Sequence, residues 1–385
     1  MTKANPHIAI DGMLINRCVS GVEHAIYNLA AALADCGACS YDLYMPRYSL
    51  QPDIKGPLFQ TQRCGPKHPS RMLRILWEQI RLPRLIRQRH ADLLHAPGYV
   101  APFHAGVPTV ITVYDLIALR WPQYCKRSNV LNYRLQLPLS IRRATGIIVP
   151  SEATRQDLID RFPAAAPKTR VIPLAITDDF HVIDQTDVLD GVRTRYGLPR
   201  QFILFVGQLE PKKNVPALIH AFARLRSTTT LPHKLVLAGG QGWEFDAIEK
   251  AVALSGVDED IIFTGFVPEE DLPALFNQAD LFVFPSLCEG FGIPPLEAMA
   301  CGIPVVTSNC TSLPEVVGDA AVLIDNPQDT CELTHAMEQL LTDPTLREDM
   351  KAKGLERATL FSWTSTARSV EAFYRDMLRG VSTGS

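Results

Sequence analysis

The sequence predicts an α/β protein made of two doubly wound, Rossmann-like domains. Three observations carry this. Short apolar runs alternate with segments whose apolar residues recur at helical spacing along nearly the whole chain. The alternation lapses in a polar stretch from Asp178 to about Arg200 and then restarts. Apolar runs are followed by a glycine-bearing loop and a helix start near Gly21, at Gly207 and at Gly290–Gly292. With 385 residues the chain is long enough for two domains of ordinary size.

Composition narrows the function classes. The chain is 46% apolar and 21% charged with a formal net charge of −3, so bulk charge gives no nucleic-acid signal. No run approaches the length of a membrane span, and Met1–Pro6 does not read as a signal peptide. The cysteines number nine, odd and scattered, which fits reduced thiols in a cytoplasm better than a disulfide framework. Cys36 and Cys39 have the spacing of a metal or redox pair but no second pair, and read as a turn.

In the first half, His7–Asp11 is a strand ended by Gly12. A loop through Asn16–Gly21 leads into the helical pattern Val22–Leu33, with Ser20 as its cap. Gly21 would let a ligand phosphate approach the backbone. Tyr41–Met45 is a strand, and a polar, proline-containing stretch runs to about Pro69. Arg71–Arg89 is basic and amphipathic, with six arginines among Leu73, Leu76, Trp77, Ile80, Leu85 and Ile86. Two readings stand: a surface helix meeting anionic lipid headgroups, or a packed helix with a solvated arginine face, interrupted at Pro83. Asp92–Pro97 and Pro108–Asp115 are strands, and Asp115 stands at a carboxyl end, where open α/β sheets bind ligands. A turn carboxylate is the equal alternative there. Thr145–Pro150 is a strand and Ser151 caps the helix after it; Lys168–Leu174 is the last strand before the polar stretch.

In the second half, Phe202–Gly207, Lys234–Gly240, Ile261–Thr264, Leu281–Phe284, Val305–Ser308 and Ala320–Ile324 read as six short parallel strands with helices between them. Gly207-Gln-Leu-Glu-Pro-Lys212-Lys213-Asn214 follows the first of these and opens a helix. Two lysines beside a helix start suit a diphosphate. Phe284 leads into Glu289-Gly290-Phe291-Gly292-Ile293, then Pro294, Pro295 and a helix carrying Glu297 near its first turn. Backbone N–H groups of the 290–293 loop and the helix end favour an anion. The two carboxylates would be repelled by phosphate, so they suit sugar and ribose hydroxyls. No Asp-x-Asp metal motif stands at a strand end, so no metal ligands and no required cofactor are expected.

The Glu289-x7-Glu297 spacing around Gly-Phe-Gly, with Gly207-x-Leu-x-Pro-Lys-Lys-Asn, resembles the signature of the retaining glycosyltransferase family 4, also called glycosyl transferases group 1. The likeness covers nearly the whole chain and is strongest in residues 202–325. It implies the GT-B fold, two Rossmann-like domains facing a central cleft. On that pattern the acceptor-side domain is 1–185, the nucleotide-sugar domain 195–362, and a helix in 363–385 crosses back to the first. The resemblance further implies transfer of a hexose from a nucleotide-diphosphate sugar to a glycan or lipid-linked acceptor in cell-surface polysaccharide assembly. The overall look is similar to mannosyltransferases, so GDP-mannose is the first donor expected and UDP-sugars the second. Glu289, Asp115 and Lys213 are the implied catalytic residues. Gly21, Gly207, Lys212, Lys213, Gly290, Phe291, Gly292, Ile293 and Glu297 are the implied donor-binding set. The family usually has His-Asp where this chain has Tyr114-Asp115, so no role of that histidine transfers. The resemblance places the protein in the cytoplasm, with peripheral contact at an anionic membrane as a further expectation. A non-catalytic sugar-nucleotide-binding subunit, or a GT-B epimerase or phosphorylase, are the alternatives.

Overall fold

The computed structural model describes residues 5–17 and 20–382, the last two as backbone only. The reading of Met1–Ala4 and the loop residues Cys18 and Val19 lie outside the described residues. The chain divides into two compact units, Met1–Ala175 with Ser362–Ser385, and Ile176–Phe361.

The first unit holds seven strands: β1 (His7–Asp11), β2 (Ser40–Met45), β3 (Phe59–Arg63), β4 (Leu93–Ala96), β5 (Thr109–Thr112), β6 (Gly146–Val149) and β7 (Thr169–Val171). They order β3-β2-β1-β4-β5-β6-β7, all parallel. The sequence direction reverses between β1 and β4. β4, β5 and β6 are buried throughout, which is why they read as continuous apolar runs. β3 was not legible: Phe59-Gln-Thr-Gln-Arg63 is an edge strand with one buried residue, so it carries no apolar run.

The Gly21–Cys36 helix is capped by Ser20, and Glu23 ties its first turn to the preceding loop. Ser20 accepts from the Glu23 N–H at 3.3 Å, and the Glu23 carboxylate accepts from the Asn16 and Arg17 N–H groups. The C-terminal helix Trp363–Ser382 packs in this unit. Its Glu371 accepts from the Ala38 N–H at 2.7 Å and the Tyr41 hydroxyl at 2.9 Å. Its Tyr374 hydroxyl bonds His95 Nδ1 at 2.7 Å, and His95 Nε2 bonds Thr112 Oγ1 at 2.8 Å. The chain end is thereby tied to the middle of the sheet.

The second unit holds β8 (Phe202–Val206), β9 (Lys234–Ala238), β10 (Ile261–Gly265), β11 (Leu281–Phe284), β12 (Val305–Ser308) and β13 (Val322–Ile324). The order is β10-β9-β8-β11-β12-β13, again all parallel. Here the reversal falls between β8 and β11. Phe205, Phe282 and Phe284 are fully buried and stack at 5.9–6.0 Å, which fixes the strand ends that carry the site.

Two sequence expectations need correction. The stretch read as irregular contains the helix Thr186–Tyr196, closed by Gly197 in the left-handed conformation, and it belongs to the second unit. Only Val192 of it is buried, so no apolar period announced it. The division between units falls after Ala175, ten residues before the end expected for the first domain.

The Arg71–Arg89 stretch forms two helices, Arg71–Ile80 and Leu82–Gln88, with Pro83 in the first turn of the second. The first is turned the opposite way from the packed alternative. Its buried residues are Trp77 and Glu78, while Met72, Leu73, Leu76 and Ile80 are 47–73% exposed. Arg74, expected on a solvated face, is tucked against Glu78 at 3.2 Å.

Candidate active site

The reversal between β8 and β11 leaves a crevice outside their carboxyl ends, where ligands bind in open α/β sheets. Two loops meet there, one from each strand. After β8, Pro211–Lys213 forms a single tight turn ending at Asn214, a non-glycine residue at φ 56°. Asn214 Nδ2 donates to the Pro285 carbonyl at 3.2 Å and the Pro327 carbonyl at 2.6 Å. The Leu287 N–H donates to the Lys212 carbonyl at 2.8 Å. These bonds clamp the lysine turn to the loop after β11 and, through Pro327, to the segment after β13.

The clamp sets up an ion pair. Lys213 Nζ lies 2.6 Å from Glu289 Oε1 and 4.6 Å above the Phe284 ring. Lys212 Nζ lies 3.7 Å from Glu289 Oε2 and 3.6 Å from Glu210. Ser286 Oγ is 2.5 Å from Glu289 Oε1. The Lys213 and Glu289 side chains are each 11% exposed. Burial alone would raise the Glu289 carboxyl, but Lys212, Lys213 and the two hydrogen bonds outweigh it and hold the carboxyl at about 2. Burial pulls the Lys213 ammonium below its usual range, against the upward pull of Glu289. Glu289 is therefore a carboxylate at neutral pH, an acceptor of hydrogen bonds with no proton to give.

The Glu289 loop is itself braced. The Glu289 N–H donates to Thr311 Oγ1 at 3.0 Å, and Ser312 Oγ lies 3.0 Å from the Glu289 carbonyl and 2.6 Å from that of Phe291. Gly292 sits at φ 123°, and a Cβ there would meet Leu313 at 2.8 Å, so glycine is required at this bend. The helix Ile293–Ala300 starts directly after it with Pro294 and Pro295 and no side-chain cap. Pro294 and Pro295 have no N–H, so among the first three positions of this helix only Ile293 carries a backbone donor for an anion. Glu297 is the fifth residue of this helix, half-buried and past the first turn.

Gly207 ends β8 at φ 153°, and Gly239 ends β9 at φ 152° with an added Cβ only 1.9 Å from the Gly207 carbonyl. A cavity of about 610 Å³ lies past the ends of β9 and β10, with Leu209 and Gly239 in its lining. Leu209, Gly239, Phe245 and Phe263 give it apolar walls, and Glu249 and Asp258 give it two carboxylates. Its size suits a nucleoside-sized ligand.

The second unit thus brings together Gly207, Lys212, Lys213, Glu289, Gly290, Phe291, Gly292, Ile293 and Glu297 on two adjoining loops and one helix. Gly21 and Asp115 belong to the first unit. A Cβ at Gly21 would meet nothing within 4 Å, so packing does not demand that glycine. Asp115 accepts from the Ile117 N–H at 3.0 Å, the local turn bond of its bland alternative. Sequence reasoning missed Ser286, Thr311 and Ser312, common polar residues without a motif of their own. It also missed Gly239, although the Gly239-Gly240 doublet after a strand signals close backbone approach. Among the described residues no cluster of His, Cys, Asp and Glu is placed to hold a metal ion.

Comparison with known proteins agrees across the chain. The family model described as glycosyl transferases group 1 matches residues 194–357, and that of glycosyltransferase family 4 matches residues 19–180. The chain is 36% identical over 283 residues to O-antigen chain mannosyltransferase B of Escherichia coli, covering 73% of this chain and 74% of that one. It is 36% identical over 289 residues to the serotype-specific mannosyltransferase WbdA of Escherichia coli, covering 73% of this chain but 35% of the longer protein. Among solved structures, sucrose-phosphate synthase from Thermosynechococcus elongatus superposes with a TM-score of 0.75 at 22% identity, covering 98% of this chain and all of that one. WaaG, a glycosyltransferase involved in lipopolysaccharide biosynthesis, gives 0.74 at 19% identity, covering 94% and 98%. Anabaena HepE in complex with UDP and glucose gives 0.73 at 19% identity, covering 96% and 99%.

Proposed function

The chain belongs to the family 4 glycosyltransferases, is a hexosyltransferase of the GT-B fold, and from that premise we propose that it moves mannose from GDP-mannose to a glycan or lipid-linked acceptor, with retention at the sugar. The observation that carries this is the Lys212–Lys213–Glu289 cluster at the strand-order reversal. An ammonium has three N–H donors, so Lys213 can hold Glu289 with one and offer the others to a diphosphate. Lys212 and Lys213, with the Ile293 N–H at the start of the Ile293–Ala300 helix, stabilise the charge that develops on the leaving diphosphate. Glu289, fixed as a carboxylate, accepts from sugar hydroxyls and stabilises positive charge at the anomeric carbon. Its pairing with Lys213 and Ser286 blunts it as a nucleophile, which favours transfer on the leaving-group face. Glu297 takes the ribose hydroxyls. The site offers its own cations to the diphosphate, so transfer persists in excess EDTA.

The 610 Å³ cavity supports a guanine base. Glu249 and Asp258 are acceptors, and guanine presents two adjacent kinds of N–H donor on one edge where uracil presents a single N–H between carbonyls. That supports GDP over UDP. O-antigen mannosyltransferases among the relatives support mannose and a glycan acceptor. The reading places the protein on the cytoplasmic side of a membrane, with Gly21 and Asp115 on the acceptor side.

Calorimetry across GDP-mannose, UDP-glucose, GDP and UDP is the test. GDP-mannose should bind at least about tenfold tighter than UDP-glucose, and Glu297→Ala should weaken binding by roughly 1.5–3 kcal/mol, the worth of a hydrogen bond to a charged group. UDP binding as tightly as GDP would overturn the guanine assignment. Binding of GDP-mannose with no turnover on any acceptor would favour a binding subunit instead.

A further inference from the structure

We infer that Thr311 is a positioning residue for Glu289, kept at a strained backbone position for the sake of its hydroxyl. The inference rests on the role proposed above for Glu289. The turn after β12 carries it. The Leu313 N–H donates to the Cys310 carbonyl at 3.2 Å, closing a turn with Thr311 and Ser312 at its centre. Thr311 has φ 52° and Ser312 has φ −84°. A turn with positive φ at its first central residue alone is one that glycine normally fills. Threonine fits it poorly. In left-handed backbone its Cβ crowds the following carbonyl, and the second branch on Cβ adds to the crowding.

The flanking bonds impose the conformation. Before the turn, the Asn309 N–H donates to the Ile324 carbonyl at 2.7 Å, and Asn309 Nδ2 donates to Asp325 Oδ1 at 2.7 Å. After it, the Val316 N–H donates to the Ser312 carbonyl at 3.1 Å. Ser312 and Leu313 are fully buried. Thr311 itself is only half-buried, so core packing does not select a threonine there.

What the threonine adds is a contact at the site. Its Oγ1 accepts from the Glu289 N–H at 3.0 Å. Its neighbours hold the same loop by other groups. Cys310 Sγ lies 3.3 Å from the Ser286 carbonyl and 3.4 Å from that of Leu287, and Ser312 Oγ reaches the Glu289 and Phe291 carbonyls. Of the three side chains, Thr311 is the one that meets the N–H of the residue bearing the carboxylate. Fixing that N–H fixes where the Glu289 side chain starts. Glycine would relax the turn and leave the N–H without this acceptor. On the lysine turn, Asn214 is also left-handed, at φ 56°, and its amide holds the Pro285 carbonyl. Two non-glycine residues in left-handed backbone thus grip the one loop that carries Glu289. Such strain persists where the surroundings over-determine it, and it clusters at functional sites.

The test compares Thr311→Ser, Thr311→Gly and Thr311→Val in the full chain, by thermal unfolding, calorimetry with GDP and steady-state transfer from GDP-mannose. Thr311→Ser keeps the hydroxyl. Thr311→Gly removes both hydroxyl and strain. Thr311→Val removes the hydroxyl and keeps the strain. Thr311→Gly should melt about 2–4 °C above Thr311→Val. In both, kcat should fall at least about tenfold, the cost of a small misplacement at the reacting centre, while Thr311→Ser stays within about threefold of the unaltered protein. Affinity for GDP should change by less than about twofold in all three, because other bonds hold the lysine turn.

Glu289→Ala separates this inference from the function it rests on. If Glu289→Ala loses transfer while Thr311→Val keeps it in full, the inference fails and the proposed function stands. If Glu289→Ala keeps full transfer, both fail. Equal melting of Thr311→Gly and Thr311→Val would overturn the inference whatever their activities. A loss of GDP affinity in step with the loss of kcat would do so too, since it would mean that the whole site had shifted.

Discussion

Replacing Lys213 separates what the buried pair does for the fold from what it does for transfer. At an effective dielectric of about 20, Lys213 at 2.6 Å attracts the Glu289 carboxylate by roughly 6 kcal/mol and Lys212 at 3.7 Å by roughly 4. Lys213→Met leaves Glu289 buried but still facing Lys212 and Ser286. The loss should therefore fall below the 3–5 kcal/mol typical of a stripped buried pair, at about 2–3 kcal/mol. Lys213→Met with Glu289→Gln removes both charges and should regain most of that stability while transfer stays lost.

The same pair sets a pH dependence. The folded state holds Glu289 at about 2 against 4.5 for the free side chain, so the open chain takes up the proton first as pH falls. The stabilisation, about 3 kcal/mol before the cost of burying Lys213, is complete above about pH 4.5 and fades towards pH 2. Urea unfolding at pH 7 and pH 4, with calorimetry of GDP-mannose and a transfer assay, measures all of this. Lys213→Met as stable as the unaltered protein, or transfer surviving in the double variant, would refute the reasoning.

Two further outcomes follow from buried geometry. Burial holds His95 down at about 3, so the folded protein refuses a proton that the open chain accepts near 6.5. Stability is full above about pH 6.5 and falls by about 2 kcal/mol at pH 5, a dependence that His95→Gln should abolish in urea unfolding; an unchanged slope in that variant would assign it elsewhere. Gly239→Ala should cost about 3 kcal/mol or more through its φ and its collision with the Gly207 carbonyl. Gly191→Ala, inside a helix with open space around it, should instead add about 0.5–1 kcal/mol, and equal melting temperatures for the two would contradict the account.

How much was legible in the sequence tracks what each residue had to do. β8, β11 and β12 are buried on both faces, so only continuous apolar runs satisfy them, and those runs are visible without a structure. The lysine turn and the Glu289 loop were legible because glycine, proline and charge cluster where backbone and ligand chemistry are both constrained. β3 and the Thr186–Tyr196 helix were hidden because each buries a single side chain, leaving no period to read. Arg71–Ile80 left two readings open for a different reason. Its apolar period is real, but a period says which residues share a face and not which face meets the core. The choice is made by Trp77, whose indole N–H donates to the Cys64 carbonyl at 3.1 Å, and by the buried Arg74–Glu78 pair. Those contacts join residues far apart in the chain or set an expensive buried charge against packing, and neither leaves a mark in local spacing.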